Sequence, residues 1–182
     1  MADPVATSAT RIWTMRAAYL GIGLGVYMLE LVPLQTTPRD FAGPDLILLM
    51  TFAFALRRPE FVPPALVALV IVLGDLLLLR PPGLMAGLVV VTTEALRARA
   101  DGLRTLPFTV EWLTAGLGLV GVLLGYRIVM AIFLIPQPPL LLSVSQLAMS
   151  ILAYPIMVLA VAALFGVRRV ALGEVDTLGH KL

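Results

Sequence analysis

Six apolar stretches divide this chain, and its arginines gather in every second loop between them. That pattern restricts the fold more than any other feature. A helix that crosses a bilayer takes about 20 residues, with a range of roughly 17–25. The stretches fall near residues 17–34, 41–56, 61–79, 82–96, 106–135 and 140–165, with a polar tail at 166–182. They are continuous runs and lack the ten-residue alternation of barrel strands, which argues against a membrane β-barrel. Backbone groups in lipid must bond within their own segment. The expected fold is therefore all-α, a polytopic membrane bundle of six transmembrane helices in a single domain spanning residues 1–182.

The arginines then orient the bundle. With the N-terminus inside, the inner positions are Arg11, Arg16, Arg57, Arg58, Arg97, Arg99, Arg104, Arg168, Arg169 and Lys181. The outer loops hold only Arg39 and Arg80, and Arg127 lies within the fifth stretch. Cytoplasmic loops carry the excess of Lys and Arg. Both termini are thus expected in the cytoplasm, and Ala17–Leu34 is read as a retained helix rather than a cleaved signal.

Composition supports this reading. Hydrophobic residues make up 60% of the 182 and charged residues 13%. Mean hydropathy is +1.00. A soluble domain carries about 25% charge, so this chain has too little to cover a water-facing surface. The pI of about 9.4 comes from arginines at the ends of apolar runs. They set orientation and form no phosphate-binding stripe, so no nucleic-acid partner is expected. The chain has no cysteine and one histidine, His180, in the polar tail. Thiolate and paired-histidine metal sites are excluded, and no cofactor is expected.

Prolines punctuate the runs. Pro63 and Pro64 open the third, Arg80-Pro81-Pro82-Gly83 turns into the fourth, and Pro155 is a candidate kink in the sixth. Asp45 stands among the first-turn acids of the second. Trp13, Tyr19, Trp112 and Tyr126 are candidates for the headgroup belts.

A charge inside a membrane is a functional candidate by default. The candidates are Glu30, Asp75, Glu94, Glu111 and Arg127, and all lie toward helix ends. That placement favours helix pairing over a proton or ion pathway. One expected pairing joins Asp75 to Arg127 at the outer side. The arginines at 57, 58, 97, 99 and 104 are candidates for contact with partners or anionic lipid at the cytoplasmic face.

Gly116–Gly121 fits GxGxxG, but it lies inside an apolar helix with no strand before it, so it binds no dinucleotide. Gly21-x-x-x-Gly25 and Gly121-x-x-x-Gly125 fit a helix-packing pattern, within the bundle or against a partner helix. No HExxH, Walker-type or GxSxG element occurs, and no serine has a histidine nearby for a triad. The expected protein is not an enzyme.

One segment is more specific. An apolar helix carrying Gly74-Asp75-Leu76 is followed by Arg80-Pro81-Pro82-Gly83-Leu84 and a second helix that ends in arginines. Gly83 stands eight residues after Asp75. Gly43-Pro44-Asp45-Leu46 opens the second run, and Arg57-Arg58-Pro59 closes it. The chain resembles the bacterial rod shape-determining MreD family, of alphaproteobacterial type, at these elements and in its length. It departs at Ile71, where that family usually carries a glycine.

The resemblance implies a non-enzymatic inner-membrane scaffold of the cell-elongation complex. Its partners would be MreC foremost, with RodA, PBP2 and MreB as complex members, beside membrane lipid. It implies Asp75, Arg80, Pro82 and Gly83 as the outer-face site, next to the packing candidates Arg127, Gly121 and Gly125. It also implies a fold similar to the substrate-binding subunits of energy-coupling-factor vitamin transporters. That similarity supplies the rival reading, a small-molecule-binding membrane subunit. The rival needs an enclosed polar pocket toward the outer face, where few polar residues are apparent.

Overall fold

The computed structural model describes residues 9–32, 41–103 and 105–166. The N-terminal segment 1–8, the loop 33–40 with Arg39, Arg104, and the tail 167–182 with Arg168, Arg169, His180 and Lys181 lie outside the described residues. Every regular element among the described residues is a helix. In chain order these are α1 (Ala9–Leu31), α2 (Leu46–Arg57), a 3₁₀ turn (Pro59–Phe61), α3 (Pro64–Leu77), α4 (Leu84–Leu103), α5 (Phe108–Ile132) and α6 (Leu140–Phe165).

Several helix boundaries differ from those drawn on hydropathy. Helix α1 starts at Ala9, well before residue 17, because polar residues such as Thr10 and Arg11 extend its first turns. Helix α4 continues past Leu96 to Leu103 for the same reason. Hydropathy measures what lipid tolerates, whereas helical hydrogen bonding continues into water. Helix α2 starts at Leu46, because Asp45 is its N-cap residue rather than a first-turn acid. The Asp45 Oδ1 accepts the Leu48 N–H at 2.9 Å. Helix α3 starts at Pro64, after the 3₁₀ turn has absorbed residues 59–61.

Three helices, α1, α5 and α6, are long and apolar enough to cross a membrane. Helix α2 has 12 residues and α3 has 14. At about 1.5 Å per residue these reach roughly 18 and 21 Å, short of a hydrocarbon core about 30 Å thick. The sequence of α2 explains how this is tolerated. It is apolar on every side, and each residue from Ile47 to Leu56 is buried. Other helices surround α2, so its length need not match lipid.

Packing around α2 sets the architecture. Helices α3 and α4 form a hairpin, α1 lies against α3, and α4, α5 and α6 follow in sequence around the central helix. Phe54 of α2 meets Tyr19, Phe61 and Phe165 at centroid distances of 6.2, 6.4 and 5.7 Å, which ties α1, the 3₁₀ turn and α6 to it. Tyr19 is fully buried, and its hydroxyl lies 2.7 Å from Thr51 Oγ1. It is therefore a core residue rather than part of a headgroup belt. Trp112 is part-buried and donates its Nε1–H to Ile151 O at 2.7 Å. Trp13 remains exposed, with the Arg16 guanidinium 5.2 Å above its ring.

Two helix ends share an unusual feature. Leu79 follows α3 and Leu134 follows α5, each at φ +54°. In each case the next amide reaches back to close the last turn, Arg80 N–H to Asp75 O and Ile135 N–H to Met130 O. This is the Schellman closure that glycine normally makes. A leucine there costs about 1–2 kcal/mol in left-handed backbone.

Candidate functional site

The turn between α3 and α4 is built on Asp75. This residue is 1% exposed, and its Oδ2 accepts the N–H of Gly83 at 3.0 Å and of Ala86 at 3.4 Å. Gly83 stands at the N-cap position of α4 and has no side chain with which to cap it. It also sits at φ +82°, where a Cβ is strained. The first amides of a helix lack partners inside it, and their dipoles favour a negative charge. Asp75 therefore caps α4 from the preceding helix. The eight-residue spacing from Asp75 to Gly83 is what lets one carboxylate reach across the turn. Pro82 is exposed in this turn, where no backbone donor is needed.

Arg127 does not pair with Asp75. Its Nη1 donates to Ser143 Oγ at 2.9 Å and to Pro138 O at 3.3 Å, while Gln137 Nε2 donates to Arg127 O at 3.0 Å. The expected Asp75–Arg127 pair does not form: Asp75 Oδ2 is turned to the amides that open α4, and Arg127 gives its donors to Ser143 and Pro138. Arg127 instead ties α5 to the start of α6.

Arg80 and Arg127 nevertheless share one site. Both line a cavity of about 220 Å³ at this end of the bundle. Its polar lining includes Asp45, Tyr126, Gln137, Ser143, Gln146 and Ser150, and Leu48, Met85, Leu119, Val122, Leu123 and Leu147 supply the apolar part. The expectation of few polar residues here is corrected. They are scattered over α2, the α3–α4 turn, α5 and α6, and only the fold gathers them. The α6 serines hold the strand of chain entering α2, since Ser145 Oγ accepts Ala42 N–H at 3.0 Å and Ser150 Oγ accepts Asp45 N–H at 2.9 Å.

The glycine pairs divide differently from their motif. Gly121 is exposed, and no atom would meet a Cβ there, whereas Gly125 packs on Leu88, 2.8 Å from where its Cβ would be. Gly21 and Gly25 likewise face outward with nothing near. Close helix approach is made elsewhere. Gly23 meets Val70, Gly118 meets Phe52 and Thr92, and a Cβ at Gly74 would occupy the Tyr27 ring.

At the opposite end Arg16, Arg57, Arg58 and Arg97 are held by the protein itself. Arg57 donates Nε to Glu111 Oε1 at 2.9 Å and Nη2 to Oε2 at 3.3 Å. Tyr154 O–H donates to the same Oε1 at 3.2 Å. Arg97 Nη2 donates to Val62 O at 2.6 Å, and Arg16 Nη2 to Glu60 O at 3.1 Å. Arg58 pairs with Glu60 at 3.5 Å, and Arg97 with Glu94 at 3.1 Å. Sequence reading made Arg57, Arg58 and Arg97 candidates for contact with partners or anionic lipid and missed the Arg57–Glu111–Tyr154 cluster. The available signal was an acid, Glu111, in the first turn of an apolar helix. The partners lie 54 and 43 residues away along the chain.

No family model, curated protein or solved structure matches this chain.

Proposed function

We propose that this chain is a multi-pass inner-membrane scaffold of the bacterial cell-elongation complex, similar to the MreD family. In this reading it crosses the membrane six times with both termini in the cytoplasm, and its work is recognition of partner helices with no bond made or broken. One observation carries the proposal: the Asp75 carboxylate holds Gly83 and Ala86 across the α3–α4 turn. The same aspartate and glycine, at the same separation, are the residues on which the resemblance rests. A capped, rigid turn presents Arg80 and Pro82 in one conformation, and preorganisation of this kind lowers the ordering cost of binding.

MreC is the expected partner, with RodA, PBP2 and MreB joining through the complex. Co-purification of MreC from native membranes tests this. Asp75→Ala and Gly83→Leu should reduce its recovery several-fold in protein that still elutes as folded. Undiminished recovery with both variants would remove the turn from the interface. Recovery of an ATP-binding transporter module in place of elongation proteins would overturn the scaffold reading.

A further inference from the structure

The cavity beside Arg80 and Arg127 has a charge balance that the fold leaves open. Two guanidiniums line it with one carboxylate, Asp45, while Asp75 acts on Arg80 only through space, without a salt bridge. The Asp45 carboxylate already accepts the Leu48 N–H as the cap of α2. Arg127 is pinned by Ser143 and Pro138. Among the described residues, the Arg80 guanidinium has no hydrogen bond and no salt bridge. It is only half-exposed, at a protein end that faces lipid headgroups in the orientation proposed above. A cation in such a place gains most from an anion that takes bidentate, charge-assisted hydrogen bonds. One fixed arginine and one arginine without a salt bridge at the same mouth are a suitable clamp.

Part of the remaining lining is apolar. Leu119 and Val122 are core residues of α5, and Leu123 and Leu147 complete the wall. Ligand sites commonly combine an apolar lining with a few placed polar groups. A bare anion would leave the apolar wall unused, and a purely apolar ligand would leave Arg80 without a hydrogen-bonded partner.

We propose that this cavity binds one amphipathic phosphate, with its head between Arg80 and Arg127 and its apolar part over Leu119 and Leu123. An anionic phospholipid and a soluble phosphate ester share this chemistry. The inference is independent of whether the chain is an elongation scaffold.

The test uses the full chain purified in a neutral detergent, with bound ligand counted by native mass spectrometry. Phosphatidylglycerol, hexyl phosphate, inorganic phosphate and phosphatidylcholine are titrated separately. One equivalent of phosphatidylglycerol or hexyl phosphate should be retained saturably. Whichever of the two binds tighter identifies the source as membrane or solution. Arg80→Gln should weaken that binding at least about tenfold, which equals the loss of one modest charge-assisted bond. Leu123→Trp should also weaken it by filling the apolar part. Arg99→Gln, at an exposed position on α4, should change nothing. Inorganic phosphate binding as tightly as the two amphiphiles would overturn the amphipathic assignment. So would retention of neither amphiphile, equal retention of phosphatidylcholine, or retention unchanged in Arg80→Gln protein that unfolds at the wild-type temperature.

Discussion

Glu111, 2% exposed, takes both Nε and Nη2 of Arg57, whose own side chain is 11% exposed. This pair joins α2, the buried helix, to the start of α5, and Tyr154 adds α6 to the same carboxylate. A buried pair of this kind adds little net stability over an apolar isostere, because both ions lose their hydration. Its importance shows when only one partner is removed.

Glu111→Leu should therefore lower stability by about 3–5 kcal/mol by leaving Arg57 buried without its acceptor. Combining it with Arg57→Met should recover most of that loss. Thermal unfolding in detergent measures both. A double variant as unstable as the sum of its singles would show that the two side chains act independently.

At the other end, Asp75→Leu leaves the Gly83 and Ala86 amides without their acceptor and should cost about 1.5–3 kcal/mol. Asp75→Asn keeps an oxygen in place and should cost less. Gly83→Ala should cost about 1–2 kcal/mol through the left-handed backbone alone. Hydrogen exchange at the start of α4 should rise in Asp75→Leu and in Gly83→Ala. Unchanged protection there in Asp75→Leu would argue against the cross-turn cap.

The glycines separate by what they face. Gly74→Ala should destabilise by about 1–3 kcal/mol, because the new methyl enters the Tyr27 ring. Adding Tyr27→Leu should relieve much of this. Gly121→Ala meets nothing and should be neutral or stabilising by up to about 1 kcal/mol. If Gly121→Ala instead reduces partner recovery at unchanged stability, that exposed glycine lies in an intermolecular helix contact.

The native chain has no cysteine, so single cysteines report topology without background. In spheroplasts a membrane-impermeant maleimide should label Pro82→Cys at once. Arg99→Cys should be labelled only after the membrane is opened. The reverse pattern would invert the orientation, and labelling of both from outside would contradict the six-crossing arrangement.

Hydropathy alone made the chain helical, with runs apolar enough to cross a membrane, because both properties depend on the type of residue in each run rather than on its neighbours in space. The Asp75–Gly83 separation stood out in the sequence only through the family resemblance, and the hydrogen bond between the two residues came from the structure. The end of α6 at Phe165 was also legible, where a glycine follows a long apolar run.

Other features depended on partners distant in sequence. Helix α2 is short, and its burial on all sides follows from the helices around it. Glu111 reads as an interfacial acid until Arg57 and Tyr154 are placed against it. Arg127 reads as the partner of Asp75 until the backbone of α4 is seen to hold that carboxylate. The polar residues of the cavity look sparse along the sequence, and they become one site only where four segments meet. Composition and hydropathy thus determined the helices and their capacity to cross a membrane. Tertiary packing decided which charges pair, which glycines matter, and that Arg80, without a salt bridge among the described residues, lines a cavity.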